Sequence, residues 1–142
     1  MAGGVLRESV GYIVPTAAAE AASTYRFCRV PSNCRISQIL LSCADFTTAG
    51  AIDIGIWQTA ENGGAVVDRD LFSSALDLSG GPFAHLEVTY ESTEYTLAES
   101  ELMLWQVLGL SVDPCREYDI VAYVTTAFNG GQPMLLKTRY VV

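Results

Sequence analysis

His85 is the chain's one histidine, and Cys28, Cys34, Cys43 and Cys115 are its four thiols. A histidine beside a thiolate can drive nucleophilic catalysis, and both residue types ligate zinc. Neither chemistry finds its spacing here. No C-x-x-C occurs, and His85 lies between Ala84 and Leu86 outside any catalytic motif, which marks a surface or structural residue. Asp68-Arg69-Asp70 opens like a calcium loop, yet Ser73 stands where that loop needs glycine, and helix capping accounts better for the aspartates. Glu87, Glu91 and Glu94 are the carboxylates from which a glycosidase pair would be drawn, but on an alternating strand they read as a solvated face. Trp57 and Trp105 each lie in a strongly apolar element, so core packing is a stronger reading than sugar stacking or interface anchoring. There is no G-x-S-x-G elbow, phosphate-binding loop or H-E-x-x-H, and Lys137 is the sole lysine. The expectation is no catalytic residue, no cofactor-binding residue and no metal site: not an enzyme.

The elements that must position these residues belong to one ordinary domain of 142 residues. Half the residues are hydrophobic, which excludes a disordered chain. The net charge of -8 argues against a direct grip on nucleic acid or anionic lipid. The uncharged stretch from Ile120 to Leu136 contains Asn129, Gly130, Gly131, Gln132 and Pro133, so it cannot cross a bilayer as one helix. Glu8 and Glu20 interrupt the N-terminal apolar residues, so no secretory leader is expected. Sparse cysteines in a chain able to build a core read as buried free thiols, with Cys28 and Cys34, flanking Pro31-Ser32-Asn33, the pair placed to meet if a bond forms.

Ala51-Ile52-Asp53-Ile54-Gly55-Ile56-Trp57 is the organising stretch. Strand alternation gathers Ile52, Ile54 and Ile56 into one β-branched stripe that a second layer must cover. Thr24 to Val30 and Arg35 to Ser42 read as a hairpin about Pro31-Ser32-Asn33, with the central strand completing a meander after the turn at Asp45 to Gly50. Leu71, Phe72, Ala75 and Leu76 recur at helical spacing behind Asp70, which predicts a short helix over 70–76. Phe83 to Ser92 alternates Leu86, Val88 and Tyr90 against glutamates and threonine, a strand with one wet face. Thr96 and Glu99 fit a capping box, predicting a helix over 97–108 that ends at Gly109 and plugs one end of the sandwich. Glu117 to Thr125 and Met134 to Val142 read as a last hairpin about Asn129-Gly130-Gly131. The fold class is all-β: a jelly-roll-like antiparallel β-sandwich with one or two short helices.

Residues 1–23 differ in composition and read as an N-terminal arm before a single β-sandwich domain over 24–142. Val10, Tyr12 and Val14 alternate with Gly11 and Ile13, which predicts a strand over 9–14. Two roles stay open for it: addition to another chain's sheet edge, or the first strand of the domain's own sheet. On the former, Val10, Tyr12, Ile13 and Val14 are the candidate partner contacts.

Several runs carry a resemblance. Tyr25-Arg26-Phe27-Cys28-Arg29-Val30-Pro31-Ser32-Asn33, Ala51 to Ile56, Val66 to Ala75, Leu108 to Pro114 and Lys137 to Val142, in that order, are similar to small head decoration (cement) proteins of tailed bacteriophages. The resemblance implies a jelly-roll domain that acts as a dimer or trimer on the capsid exterior, contacts the major capsid protein and bridges capsomers. It further implies synthesis in the host bacterial cytoplasm, where thiols stay reduced, and no nucleic-acid or membrane partner. The alternative is a carbohydrate- or receptor-binding β-sandwich module of a phage tail or fibre, using exposed aromatic residues.

Overall fold

The computed structural model describes residues 4–15, 19–46 and 49–142. Met1 to Gly3, Thr16 to Ala18 in the alanine-rich run, and Thr47 and Thr48 in the expected turn lie outside the described residues. Among those described, eight strands are β1 (Leu6–Ile13), β2 (Thr24–Pro31), β3 (Arg35–Cys43), β4 (Ala51–Gln58), β5 (Val66–Asp77), β6 (Phe83–Glu87), β7 (Glu117–Thr126) and β8 (Met134–Val141). They form two four-stranded sheets, ordered β1-β8-β3-β6 and β2-β7-β4-β5. All pairings between these strands are antiparallel. This interleaving of early and late strands is the jelly-roll winding, and the expected all-β sandwich is the observed architecture.

The isoleucine stripe is where the sheets close. Ile52, Ile54 and Ile56 are fully buried and lie opposite Val124, Ala122 and Ile120 of β7. Ile36, Ile39, Leu41, Met134 and Leu136 join them in the core from the other sheet. Burying one such aliphatic side chain stabilises the fold by about 1.5–3 kcal/mol, so this layer dominates the local energetics.

Most strand positions are as the alternation predicts, although the strand expected over Phe83 to Ser92 ends at Glu87, beyond which the chain turns. The pairing is not as predicted. Neither the hairpin of β2 with β3 nor the closing hairpin of β7 with β8 forms, because each of these turns carries the chain from one sheet to the other. The meander fails for the same reason: of consecutive strands, only β4 and β5 pair. A turn motif reports a reversal of direction, and a sandwich can reverse across its two layers as readily as within one.

The helix expected over 70–76 is instead part of β5. Ile54 pairs with Ser73 and Ile56 with Asp68, so two steps along β4 match five along β5, and the excess forms a bulge. A second irregularity falls at Ala75, at φ 49°. These bulges turn Leu71, Phe72 and Leu76 inward, which reproduces a helical spacing of apolar residues within a strand. The helix expected over 97–108 reduces to a 3-10 turn, Glu99–Glu101, and one α-helical turn, α1 (Leu104–Val107). The Thr96 amide does donate to Glu99 (2.8 Å), and Gly109 does take the left-handed conformation (φ 76°). α1 is held at the end of the sandwich because the amides of Leu104 and Trp105 donate to the carbonyls of Cys34 (2.8 Å) and Ser32 (3.1 Å).

The bulge of β5 lies across the outer face of β4 at Gly55, where a Cβ would collide with the backbone carbonyls of Asp68 and Arg69. Both groups are main chain, so neither can swing aside. Gly55→Ala is expected to destabilise the protein by about 1–3 kcal/mol through overpacking. Urea denaturation checks this, and an unchanged midpoint would contradict the close approach.

Candidate functional site

The strand expected over 9–14 spans Leu6–Ile13 and pairs residue for residue with β8, from Leu6 opposite Val141 to Ile13 opposite Met134. It is therefore the first strand of the domain's own sheet, and residues 6–13 are not a detached arm. The correction has a physical reason. Gly11 permits close approach to the Phe27 backbone, Cys28 donates its thiol to the Ser9 carbonyl (3.3 Å), and Arg139 pairs with Glu8 (2.9 Å), so β1 is held by β8 along one edge and by β2 of the facing sheet.

Alternation divides the four expected partner contacts. Val10, Tyr12 and Val14 are exposed, Tyr12 at 63%, whereas Ile13 is half-buried and packs on the core. Ile13 thus packs on the core from the face of β1 opposite Val10 and Tyr12. Sequence reading missed Leu6, which is 62% exposed and shares the parity of Val10 and Tyr12. Its neighbours Arg7 and Glu8 conceal that periodicity. Beside Tyr12, a groove of about 380 Å³ is lined by Ser42, Cys43, His85, Pro133 and Leu135 among others. Tyr12 and Leu135 are register partners, so the groove continues the apolar row of β1 onto the outer surface of its sheet.

The residues with chemical potential are dispersed among other tasks. His85 and Cys43 line the same groove, but burial pushes the Cys43 thiol up, away from the thiolate that nucleophilic chemistry needs. Glu87 accepts from Thr89 (amide, 3.1 Å) and Glu91 from the Ser74 amide (2.7 Å), so these carboxylates brace backbone bends. Asp68, Asp70 and Glu94 bring carboxylate oxygens within 4.8 Å of one another. Burial first and then the Asp70 charge raise the Asp68 carboxyl; burial first and then both aspartates raise that of Glu94. The aspartates are strand residues rather than helix caps.

Trp57 belongs to the outer face of β4 and is half-buried, not a core residue. Its ring stacks on Tyr123 at 6.4 Å between centroids. Arg26 lies over Trp57 (5.8 Å) and Arg69 over Tyr123 (4.6 Å). The same arginines bind buried acids, Arg26 to Asp119 (2.8 Å) and Arg69 to Asp53 (2.9 Å), while Arg29 also reaches Asp119 (3.1 Å). These contacts roof the second sheet and cover the aromatic faces that a sugar would stack on. Trp105, on α1, is half-buried as well. No helix among the described residues is long and apolar enough to cross a membrane.

No protein-family model matches the chain, and no curated protein sequence matches it. Solved structures do. A chain from the capsid of Ralstonia phage GP4 matches with a TM-score of 0.67 at 14% identity, covering 99% of this chain and 86% of that one. A chain from the capsid asymmetric unit of cyanophage Pam1 gives a TM-score of 0.57 at 13% identity, with 99% and 86% covered. One from the acid-stable capsid of Helicobacter pylori bacteriophage KHP30 gives 0.54 at 11%, with 99% and 90% covered. The likeness is one of fold, and it runs through β1 as well as the later strands.

All four cysteines are free: Cys28, Cys34 and Cys43 buried, Cys115 exposed. At neutral pH a thiol reagent is expected to modify Cys115 alone in native protein and all four after unfolding without reductant. Recovery of only two would reveal a disulfide. Burial pushes the Cys34 thiol up to about 12 from 9.0. The folded state therefore keeps a proton that the unfolded chain releases first. This contribution to stability is intact below about pH 9 and declines as pH rises toward 12, by up to about 1.4 kcal/mol per pH unit. Cys34→Ala should make the fall in denaturation free energy between pH 9 and 11 shallower; an identical slope would contradict the burial effect.

Proposed function

We propose that the protein is a structural decoration (cement) component of a tailed-phage head, bound to the capsid exterior through the major capsid protein. In this reading it acts as a homo-oligomer that bridges capsomers, and its role is structural rather than catalytic. It is made in the host bacterial cytoplasm, where its thiols remain reduced. The observation that carries the reading is the match of 99% of the chain to chains from three phage capsid structures. The exposed apolar row of β1 supports it, since a rigid sandwich with one sticky face and an acidic remainder can stay dispersed before assembly and still adhere to a partner. The carbohydrate-binding alternative is weakened by the arginines that occupy the faces of Trp57 and Tyr123.

The test uses purified protein and undecorated heads of the phage that encodes it. Saturable co-sedimentation with the heads, and a higher temperature of DNA release from filled heads once coated, are expected. Absence of binding, or saturable binding to a glycan array instead, would overturn the reading.

A further inference from the structure

β1 is the unguarded edge of this molecule. The two sheets have four edge strands among the described residues: β1, β6, β2 and β5. Soluble proteins blunt such edges with bulges, short length, proline or charge, because unpaired amides and carbonyls recruit other strands. Three of the four are broken by a register shift, with further devices beside it. β6 has 5 residues, a register shift opposite Leu41/Cys43 and His85 at φ 53°. β2 has a shift at Arg26/Cys28, two arginines and a terminal Pro31. β5 has repeated shifts and three aspartates, Asp68, Asp70 and Asp77. β1 has neither bulge nor proline over 8 residues: its register with β8 runs unbroken, and of its two charged residues, Arg7 and Glu8, the glutamate is already paired with Arg139.

The hydrogen-bond phase fixes which groups lie on that edge. Val5 and Val142 exchange both backbone bonds (2.9 and 3.1 Å), so the odd-numbered residues of β1 are the ones bonded to β8. The amides and carbonyls of Leu6, Glu8, Val10 and Tyr12 therefore point away from β8. Among the described residues, no backbone bond links any of these four to another element. Their side chains are exposed as well, with Leu6 and Tyr12 above 60% and Val10 at 50%.

We infer that this edge pairs with the same edge of a second copy, antiparallel about a two-fold axis, to join two sheets into one. This rests on the oligomeric part of the proposed function and not on attachment to a shell. Self-pairing is argued from complementarity. A two-fold centred on Ser9 sets Leu6 opposite Tyr12 of the second copy and Glu8 opposite Val10, so all four outward residues of each copy find partners. Apolar side chains then meet across the seam, and Glu8, already paired with Arg139, faces no like charge. A shift of register that sets Glu8 against Glu8 is opposed by their charge. The unbroken register of β1 leaves the edge straight enough for the pairing to run its full length.

Val10→Pro is the discriminating variant. The Val10 amide faces the open edge, so proline removes a bond to the second copy and none within the chain. Full-length wild-type protein, followed by light scattering over a concentration series, is expected to reach a two-copy mass. Val10→Pro should associate at least 10-fold more weakly with an unchanged circular dichroism spectrum. A second variant, Leu6→Cys with Tyr12→Cys in a Cys115→Ser background, should form covalent dimers on oxidation, since facing residues of such a pair lie within disulfide reach. If Val10→Pro fails to fold, this crosslink decides. Wild-type-like association of folded Val10→Pro, or no crosslinked dimer, would overturn the inference. A monomeric wild type would also overturn it, together with the oligomeric reading; if that monomer still coats heads, shell attachment stands. Val10→Pro that loses head binding while wild type is monomeric would assign the edge to a strand of the shell instead.

Discussion

The structure depends on covering β4 from both sides. Its inner face presents Ile52, Ile54 and Ile56, and only a second sheet can remove that stripe from water. Its outer face presents Asp53, Gly55 and Trp57, of which Asp53 is almost as buried as the isoleucines at 2% exposure. The bulge of β5 achieves this second covering: it crosses Gly55 and brings Arg69 to Asp53, and the Ala75 amide donates to the same carboxylate (2.7 Å). A buried acid so placed stabilises little in net terms but is costly to orphan, so it fixes where β5 lies more than how strongly it is held.

This double covering explains what could be read from the residues and what could not. The alternation of Ile52 to Ile56 and of Tyr118 to Val124 identifies buried strands because each places one set of side chains on a common face. Which strand lies beside which is a property of contacts distant in sequence. Pro31-Ser32-Asn33 marks a reversal, yet Arg35 beyond it enters the opposite sheet. At 70–76 the local pattern misleads outright, since a bulge that buries Leu71 and Phe72 together is indistinguishable by spacing from one turn of helix.

The candidate surface was legible in part. The parity of Val10 and Tyr12 is plain, but the assignment of β1 to its sheet depends on Gly11 meeting Phe27 and on the Arg139–Glu8 pair, both contacts across long stretches of chain. Ile13 looks equivalent to its neighbours until the pleat directs it inward. Of the residues that suggest chemistry in a bare sequence, Cys28, Cys34 and Cys43 fill the core and Glu87 and Glu91 brace bends, while His85 and Cys115 stand apart at the surface. What remains outside is one regular strand edge, carrying Leu6, Val10 and Tyr12 beside Glu8, whereas the other strand edges among the described residues are broken by register shifts.

The central claim is that β1 is built into its sheet on one side and open for assembly on the other. Residue-resolved amide hydrogen exchange measures both sides at once. Arg7, Ser9, Gly11 and Ile13 should be protected at every concentration, whereas Leu6, Glu8, Val10 and Tyr12 should exchange fast in dilute protein and slow together as it assembles. Uniformly fast exchange along the strand would show that β1 is not held in its sheet, and even-numbered amides that stay fast in the assembled state would show that its edge is not the surface used.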